Sequence, residues 1–299
     1  EVRSSVARKL GIEFTGMVHA GRHVEGIVDV LTDATTNFQD ILTKDRLFNW
    51  HAAFFPTGRS GLLPITVGDW RKDLNGPMRV VSGPFGREKI HFEAPSADLL
   101  ESEMTLFLNW FNSEKNIDPI IKAGIAHLWF VTIHPFDDGN GRIGRAIADM
   151  ALARADGLSE RFYSLSSQIE TEKKAYYCQL ESQQRGNIDI THWLDWFLDC
   201  LMRSIDNAEV SLEKVFYKAR IWESLKKYQI NERQSLILNR MLEGDFEGFM
   251  NTSKYAKMSK CSNDTALRDI QELKRVGVFV QNPGKGRSTS YRLPDKGSF

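Results

Sequence analysis

His134-Pro135-Phe136-Asp137-Asp138-Gly139-Asn140-Gly141-Arg142-Ile143-Gly144-Arg145 stands between two strongly apolar stretches. Upstream, residues 118–133 carry Ile120, Ile121, Ile125, Leu128, Trp129, Phe130, Val131 and Ile133, apolar on nearly every side. A helix without a polar face buries itself in a bundle. Pro135 breaks that helix. Downstream, residues 140–155 read as a second helix, rich in Ala146, Ala148, Ala151 and Ala153. Alanine favours helix and lets neighbours approach closely. The run therefore forms a loop between two buried helices, and the fold around it is mainly α.

Working outward, residues 22–56 read as helical, with Val24, Ile27, Val28, Val30 and Leu31 on apolar faces and then Leu47, Trp50 and the Phe54-Phe55 pair. Residues 62–94 hold short β-prone runs: Ile65-Thr66-Val67, Val80-Val81 and Ile90-His91-Phe92. The pattern over 79–93 predicts a β-hairpin. Pro95 is expected to open a helix reaching Phe111. A long helical stretch is predicted over 190–228. From about Asn231 the composition shifts: helices over 232–243, 252–258 and 263–276 precede strand-like Val278-Phe279-Val280 and Ser290-Tyr291-Arg292-Leu293. Three helices followed by a hairpin is the order of a small winged helix-turn-helix domain. The expected division is an N-terminal segment 1–21, a helical domain 22–228 and a winged-helix domain 229–299.

The 299 residues suffice for two domains. Thirty-nine basic residues balance thirty-nine acidic ones, so no global basic field draws nucleic acid or lipid. No apolar run is long enough to span a bilayer, and the N-terminus lacks the apolar core of a signal peptide. Cys178, Cys200 and Cys261 are few, odd in number and far apart. That argues against a disulfide framework or a zinc site and fits a cytoplasmic protein, each thiol being a small core residue.

The central run carries chemistry. Gly139-Asn140-Gly141 opens a helix whose first N–H groups have no internal partners and, with the helix dipole, attract an anion. Arg142 and Arg145 are one turn apart and can clamp the same phosphates. Asp138 is a hard oxygen ligand placed to hold Mg²⁺ against them. His134, at the helix end, can take a proton from a hydroxyl. Phe136 anchors the loop. Taken singly, a helix-end histidine, a Gly-Asn-Gly turn, an arginine pair and a capping aspartate such as Asp137 are ordinary structural features. Their occurrence together in twelve residues points to a nucleoside triphosphate.

The run resembles the signature of the Fic family, His-x-Phe-x-(Asp/Glu)-Gly-Asn-Gly-Arg-x-x-Arg, at every fixed position. The resemblance extends through Ala126-His127-Leu128-Trp129-Phe130, Tyr176-Tyr177 and Thr191-His192-Trp193-Leu194, covering roughly residues 20–205. It implies a Fic-fold helical bundle with a β-hairpin flap, and AMP transfer from ATP to a Ser, Thr or Tyr hydroxyl of a target protein. It implies His134 as general base, Asp138 as Mg²⁺ ligand, and Asn140 and Gly141, after Gly139, as the α-phosphate hole. Arg142 would hold the outer phosphates and Arg145 the γ-phosphate. Family members that act as kinases depart from Gly-Asn-Gly, and this chain keeps Gly141.

The hairpin, with Val80, Val81, Ser82, Gly83, Ile90 and His91, would be the flap, its free edge pairing with an extended target segment. Tyr177 either stacks on adenine, as the resemblance suggests, or belongs to a helical core stripe. His127 is read as a core or supporting residue, because no third metal ligand follows at sensible spacing. Many Fic proteins carry an inhibitory (Ser/Thr)-x-x-x-Glu-(Gly/Asn) helix. Glu25-Gly26 fits its end, but Gly21 stands at the Ser/Thr position. The alternative is an inhibitory segment upstream of residue 1, since the chain begins without Met.

Residues 251–299 are locally basic. Thr265 and Arg268 on the 263–276 helix, and Lys285 and Arg287 at a wing tip, are candidate DNA contacts; the same surface would equally suit a protein partner. Two further readings stay open. One keeps the site but removes AMP or uses another nucleotide donor. The other is a DNA-binding regulator whose Fic domain senses nucleotide. The oligomeric state, a homodimer included, is not legible.

Overall fold

The computed structural model describes residues 21–297 except 75, 85, 160, 244, 245, 247, 285, 287 and 288. The N-terminal segment below Gly21, and the candidate contacts Lys285 and Arg287, lie outside the described residues. The chain divides into two compact units between Asp206 and Asn207.

The first unit begins with α1 (Arg22–Thr36) and α2 (Lys44–Phe54). Two short strands, β1 (Arg59–Ser60) and β2 (Leu63–Pro64), follow and pair antiparallel. β3 (Arg79–Ser82) and β4 (Lys89–Glu93) form a second antiparallel pair. Then come α3 (Leu100–Ser113), α4 (Pro119–Ile133), α5 (Asn140–Asp156), α6 (Leu165–Thr171), α7 (Lys173–Arg185) and α8 (Thr191–Leu225), whose last part belongs to the second unit.

The centre of the bundle is α4 against α5. Asp118 caps α4, its carboxylate accepting from the N–H groups of Ile120 (2.9 Å) and Ile121 (3.2 Å), and Pro119 occupies a first-turn position where its missing N–H costs nothing. Ala123, Ala126, Phe130, Val131 and Ile133 of α4 and Ile143, Ala146, Ile147 and Met150 of α5 are buried in one core. Small residues set the separation. A Cβ on Gly144 would stand 2.8 Å from Val131 Cγ1, so only glycine lets α5 meet α4 there. Trp193 of α8 donates its indole N–H to Gly124 O (2.9 Å), fastening α8 to the other side of α4.

At the other end, α1 is fixed on α2 by Asp33, whose carboxylate accepts from Trp50 Nε1 (2.7 Å) and Arg46 Nε (2.8 Å). Gly26 of α1 touches α2 directly: an added Cβ would fall 1.9 Å from Ala53 O.

Several expectations are corrected. The 22–56 stretch is two helices, because Thr43 caps α2 by accepting from Arg46 N (3.1 Å). Ile65-Thr66-Val67 is not a strand; the local pairing is at β1 and β2, just before it. The helix expected from Pro95 starts only after a 3-10 turn at Ala97–Leu99, since the Pro95 carbonyl and the Ala97 N–H are engaged by Arg71 and Asp73. Cys178 is exposed rather than in the core, whereas Cys200 is buried.

The second unit contains α9 (Glu232–Glu243), α10 (Thr252–Ser259), α11 (Asn263–Arg275), β5 (Val280–Gln281) and β6 (Tyr291–Arg292). Ile221 and Leu225 of α8 join Ile237, Leu238, Tyr255, Ile270, Leu273 and Phe279 in its core. α10 ends on left-handed Lys260, and Ser262 caps α11 by accepting from Thr265 N (3.2 Å). Buried Asp269 accepts from Arg233 Nε (2.9 Å), Asn231 Nδ2 (3.0 Å) and the Tyr255 hydroxyl (3.2 Å). β5 and β6 pair antiparallel, with Met250 bridging to Tyr291 on the far side.

The Gly26 contact is testable. Gly26→Ala places a methyl group against a backbone carbonyl and is expected to cost about 1–3 kcal/mol. Denaturant unfolding of the full chain should show a lowered midpoint for the first unit. An unchanged midpoint would refute the close α1–α2 contact.

Candidate active site

The site is built on the break between α4 and α5. His134 caps α4 in the left-handed conformation (φ 52°), with its N–H donating to Phe130 O at 3.1 Å. A non-glycine residue there costs about 1–2 kcal/mol and needs support. The ring supplies some: Nδ1 lies 3.1 Å from Val131 O. A carbonyl only accepts, so Nδ1 carries the proton and Nε2 is left with the lone pair. Burial pushes the imidazole pKa below its usual value; the Val131 carbonyl and the Asp138 charge oppose that shift, and the Arg71 charge adds to it. The result is a neutral imidazole with a free basic nitrogen.

Phe136 is the loop's anchor. It is fully buried and lies flat on the His51 ring (centroids 4.2 Å apart, 7° between planes), with Trp70 at 5.2 Å. Burying that ring contributes about 2 kcal/mol. Buried Asn140 closes the turn, its side-chain O accepting from Phe136 N (3.0 Å) and its NH₂ donating to Phe136 O (2.7 Å). The Asn140 amide is thus committed to the loop, and what it can offer an anion is its backbone N–H. Gly139 is required twice over. Its φ is 87°, and a Cβ would meet the Phe55 ring at 2.9 Å. The first internal bond of α5 runs from Ile143 N to Gly139 O (3.0 Å), so the N–H groups of Asn140, Gly141 and Arg142 precede the helix's own ladder.

The charged groups sit around that helix end. The Arg142 guanidinium lies over Phe55 (4.6 Å) and Phe54 (5.0 Å), and 3.9 Å from Asp138. Arg22, His23, Arg59 and Arg142 border a cavity of about 500 Å³ against Phe54 and Phe55. Arg145, one turn on, bonds the Tyr176 hydroxyl, whose pKa is raised by burial. Asp138 remains 47% exposed at its side chain. One carboxylate oxygen accepts from Gly139 N (2.5 Å), the other from the Ser60 hydroxyl of β1. Asp137 caps nothing; it accepts from Thr66 N (2.8 Å) and ties down the segment after β2. Among the described residues no group of three or more His, Cys, Asp or Glu could hold a metal. A single carboxylate, 47% exposed beside a helix N-terminus and Arg142, nevertheless fits Mg²⁺ in donor type, since that ion keeps several waters of its own.

His127 is fully buried, lies flat near Trp193 (5.6 Å, 12°) and shares a hydrogen bond with the Tyr176 hydroxyl (2.9 Å). Burial, together with the Arg145 charge, pushes its pKa down to about 3. It is a neutral residue under the loop. Tyr177 is 54% exposed on α7, so the core alternative for it is excluded.

The β3–β4 hairpin exposes Val81 and Ile90, and Gly83 takes φ 104° at its turn. His91 is the extra residue where the register shifts opposite Val80 and Val81. Its Nδ1 lies 2.6 Å from Glu181 Oε2, and Ser82 Oγ lies 2.5 Å from its Nε2. Arg185 donates to the carbonyls of His91 (2.8 Å) and Ile90. One edge of β4 is therefore bound to α7. Glu25 is half-buried on α1 beside Gly26. In the second unit Arg268 is exposed, while the Thr265 hydroxyl lies 2.9 Å from that of its cap, Ser262.

Sequence reading missed His51, Ser60, Arg71, Glu181 and Arg185, and gave Tyr176 no role of its own. Arg71 is 2% exposed although Asp69-Trp70-Arg71-Lys72-Asp73 looks like a solvated charged turn. Periodicity carries no signal for a buried arginine in a loop.

The model of the Fic/DOC family matches residues 41–152. The probable protein adenylyltransferase of Aquifex aeolicus is 33% identical over 84 residues, 28% of this chain and 26% of that protein. The protein adenylyltransferase Fic of Drosophila willistoni is 29% identical over 153 residues, 48% of this chain and 29% of that one. The match thus spans less than a third of either relative. Two solved structures share the fold. A Fic family protein from Desulfovibrio desulfuricans has a TM-score of 0.50 at 19% identity, over 99% of this chain and 82% of that one. A Fic domain-containing signalling protein from Bacteroides thetaiotaomicron has a TM-score of 0.50 at 20% identity, over 69% and 77%. The stretch similar to the Fic/DOC family, residues 41–152, takes in the whole loop from His134 to Arg145.

Proposed function

We propose that this chain is a protein adenylyltransferase that moves AMP from ATP to a Ser, Thr or Tyr hydroxyl of a target protein. One observation carries the reading. A neutral imidazole with a free Nε2 stands at one end of a buried loop whose other end is a helix N-terminus flanked by Arg142 and Arg145. Similarity to the probable protein adenylyltransferase of Aquifex aeolicus and the protein adenylyltransferase Fic of Drosophila willistoni supports it.

In this reading the N–H groups of Asn140 and Gly141 face the α-phosphate, and Arg142 and Arg145 hold the outer phosphates. Asp138 would hold Mg²⁺, which supplies charge neutralisation for the pyrophosphate. Nε2 of His134 takes the acceptor's proton as its oxygen attacks the α-phosphorus. The bond from that phosphorus to the bridging oxygen breaks, and pyrophosphate leaves with the electron pair. The small side of Gly141 faces Arg145, an added Cβ standing 3.6 Å from its guanidinium, which favours close approach of phosphate. Exposed Tyr177 is available to adenine. With one edge of β4 held by Arg185, the edge of β3 is the place for an extended acceptor segment.

Glu25 is proposed as an inhibitory carboxylate, on a helix held close by the Gly26 contact. The second unit is read as a winged helix-turn-helix: α10, a left-handed turn, α11 and a β5–β6 wing. Arg268 is its candidate contact to DNA or to a protein partner. No helix among the described residues is long and apolar enough to cross a membrane.

Incubation with ATP and Mg²⁺ should add AMP to the protein or a target, detected by mass, and His134→Ala should lower the rate by about 10²–10⁴-fold. Transfer of a different group from a different labelled nucleotide, or tight ATP binding with no transfer, would replace this reading. Because burial lowers the His134 pKa, the base stays neutral to lower pH than a free imidazole does. The acid limb of the rate profile should therefore lie below the ordinary value of 6.5. An acid limb above that value contradicts the environment described. Glu25→Gly should raise automodification, and an unchanged rate would discard Glu25 as the inhibitor. For the second unit, DNA binding should weaken steeply with salt, and salt-independent or absent binding favours a protein partner.

A further inference from the structure

Arg71 does something the family loop cannot do for itself. A guanidinium this deeply buried must have its donors met and its charge paired. Its Nε donates to His134 O (2.8 Å) and its backbone N–H to Pro135 O (2.9 Å). One terminal nitrogen pairs with the Asp73 carboxylate and the other donates to Pro95 O. The second oxygen of Asp73 accepts from Ala97 N (2.7 Å). A single ion pair therefore grips two segments. One is the left-handed turn at His134-Pro135. The other is the stretch immediately after β4, where Ala94 N donates to Met78 O (2.9 Å) at the root of the hairpin.

The strained φ of His134 needs bonds from outside its own helix, and Arg71 provides two. The same guanidinium holds the carbonyl through which the hairpin leaves its second strand. We infer that Arg71, set by Asp73, is a positioning residue that keeps the His134 imidazole in fixed register with the hairpin. This rests on the adenylyl-transfer reading, in which the hairpin presents the acceptor and His134 deprotonates it. The bonds of Arg71 described above go to residues 73, 95, 134 and 135, not to the phosphate cradle of residues 139–145. Binding of ATP and turnover should therefore separate. Lysine cannot replace the fork, since its ammonium does not reach three acceptors in one plane.

The test uses the full chain as wild type, Arg71→Lys, Asp73→Asn and His134→Ala. It measures ATP affinity by equilibrium dialysis, KM and kcat for labelled AMP incorporation, and thermal melting. Arg71→Lys and Asp73→Asn should keep ATP affinity within about threefold, yet lose about 100-fold in kcat, the cost of a misplacement near 1 Å. Unchanged kcat in a folded variant overturns the inference. So does ATP affinity falling in parallel with kcat, which marks a general scaffold role. If one variant does not melt cooperatively, the other decides; if neither does, the pair is scaffold and the inference fails. Wild type that incorporates no more AMP than His134→Ala refutes the adenylyl-transfer reading itself. Active wild type with unimpaired Arg71 variants refutes only the positioning role.

Discussion

The left-handed turn at His134 is the constraint on which the rest of the site depends. It ends a helix that has no polar face, and it does so with a residue that has a Cβ and therefore pays for that conformation. The bundle holds it from every side. Phe130 and Val131 of the same helix take its N–H and its Nδ1 proton. Phe136, two residues on, is fully buried against His51 and Trp70. The Asn140 side chain then brackets the Phe136 peptide from the next helix. Packing of the core around Phe136 and Asn140 thus places one nitrogen.

The electrostatics follow from the same packing. Burial keeps His134 and His127 neutral, for different ends. His127 gives its ring to the Tyr176 hydroxyl under α5, and Tyr176 in turn meets Arg145. His134 keeps Nε2 uncommitted by its own hydrogen bond. Positive charge is concentrated on the outward side of the α5 N-terminus, where Arg142 rests on Phe54 and Phe55 instead of pairing tightly with Asp138. Aromatic faces hold a guanidinium in place without neutralising it, which accords with the proposed adenylyl-transfer reading. The hairpin is less deeply buried and is bound by polar contacts to α7 through Glu181 and Arg185.

Much of this is legible in the amino-acid order. Helices α4 and α5 are readable because their apolar and alanine patterns are long and strong, and the loop between them is readable because proline and glycine punctuate it. Harder to see are α6 and α7, whose mixed surfaces carry little periodic signal, although Tyr176, Glu181 and Arg185 come from α7. The helix start at Pro95 is misread because a long-range bond from Arg71 outweighs the local preference of proline.

The sequence by itself determined the helical frame, the glycines that a close packing approach or a positive φ requires, and the residue types of the loop. Those are local properties, set by backbone sterics and by spacing along one helix. Only the tertiary structure decided which nitrogen of His134 is free, that the Asn140 amide closes the loop, that Arg71 is buried, and which edge of β4 is occupied. The first two rest on partners three and four residues away that only the folded turn brings into reach; the last two rest on partners 63 and 95 residues away, and no local pattern encodes a hydrogen bond whose acceptor arrives only when the bundle packs.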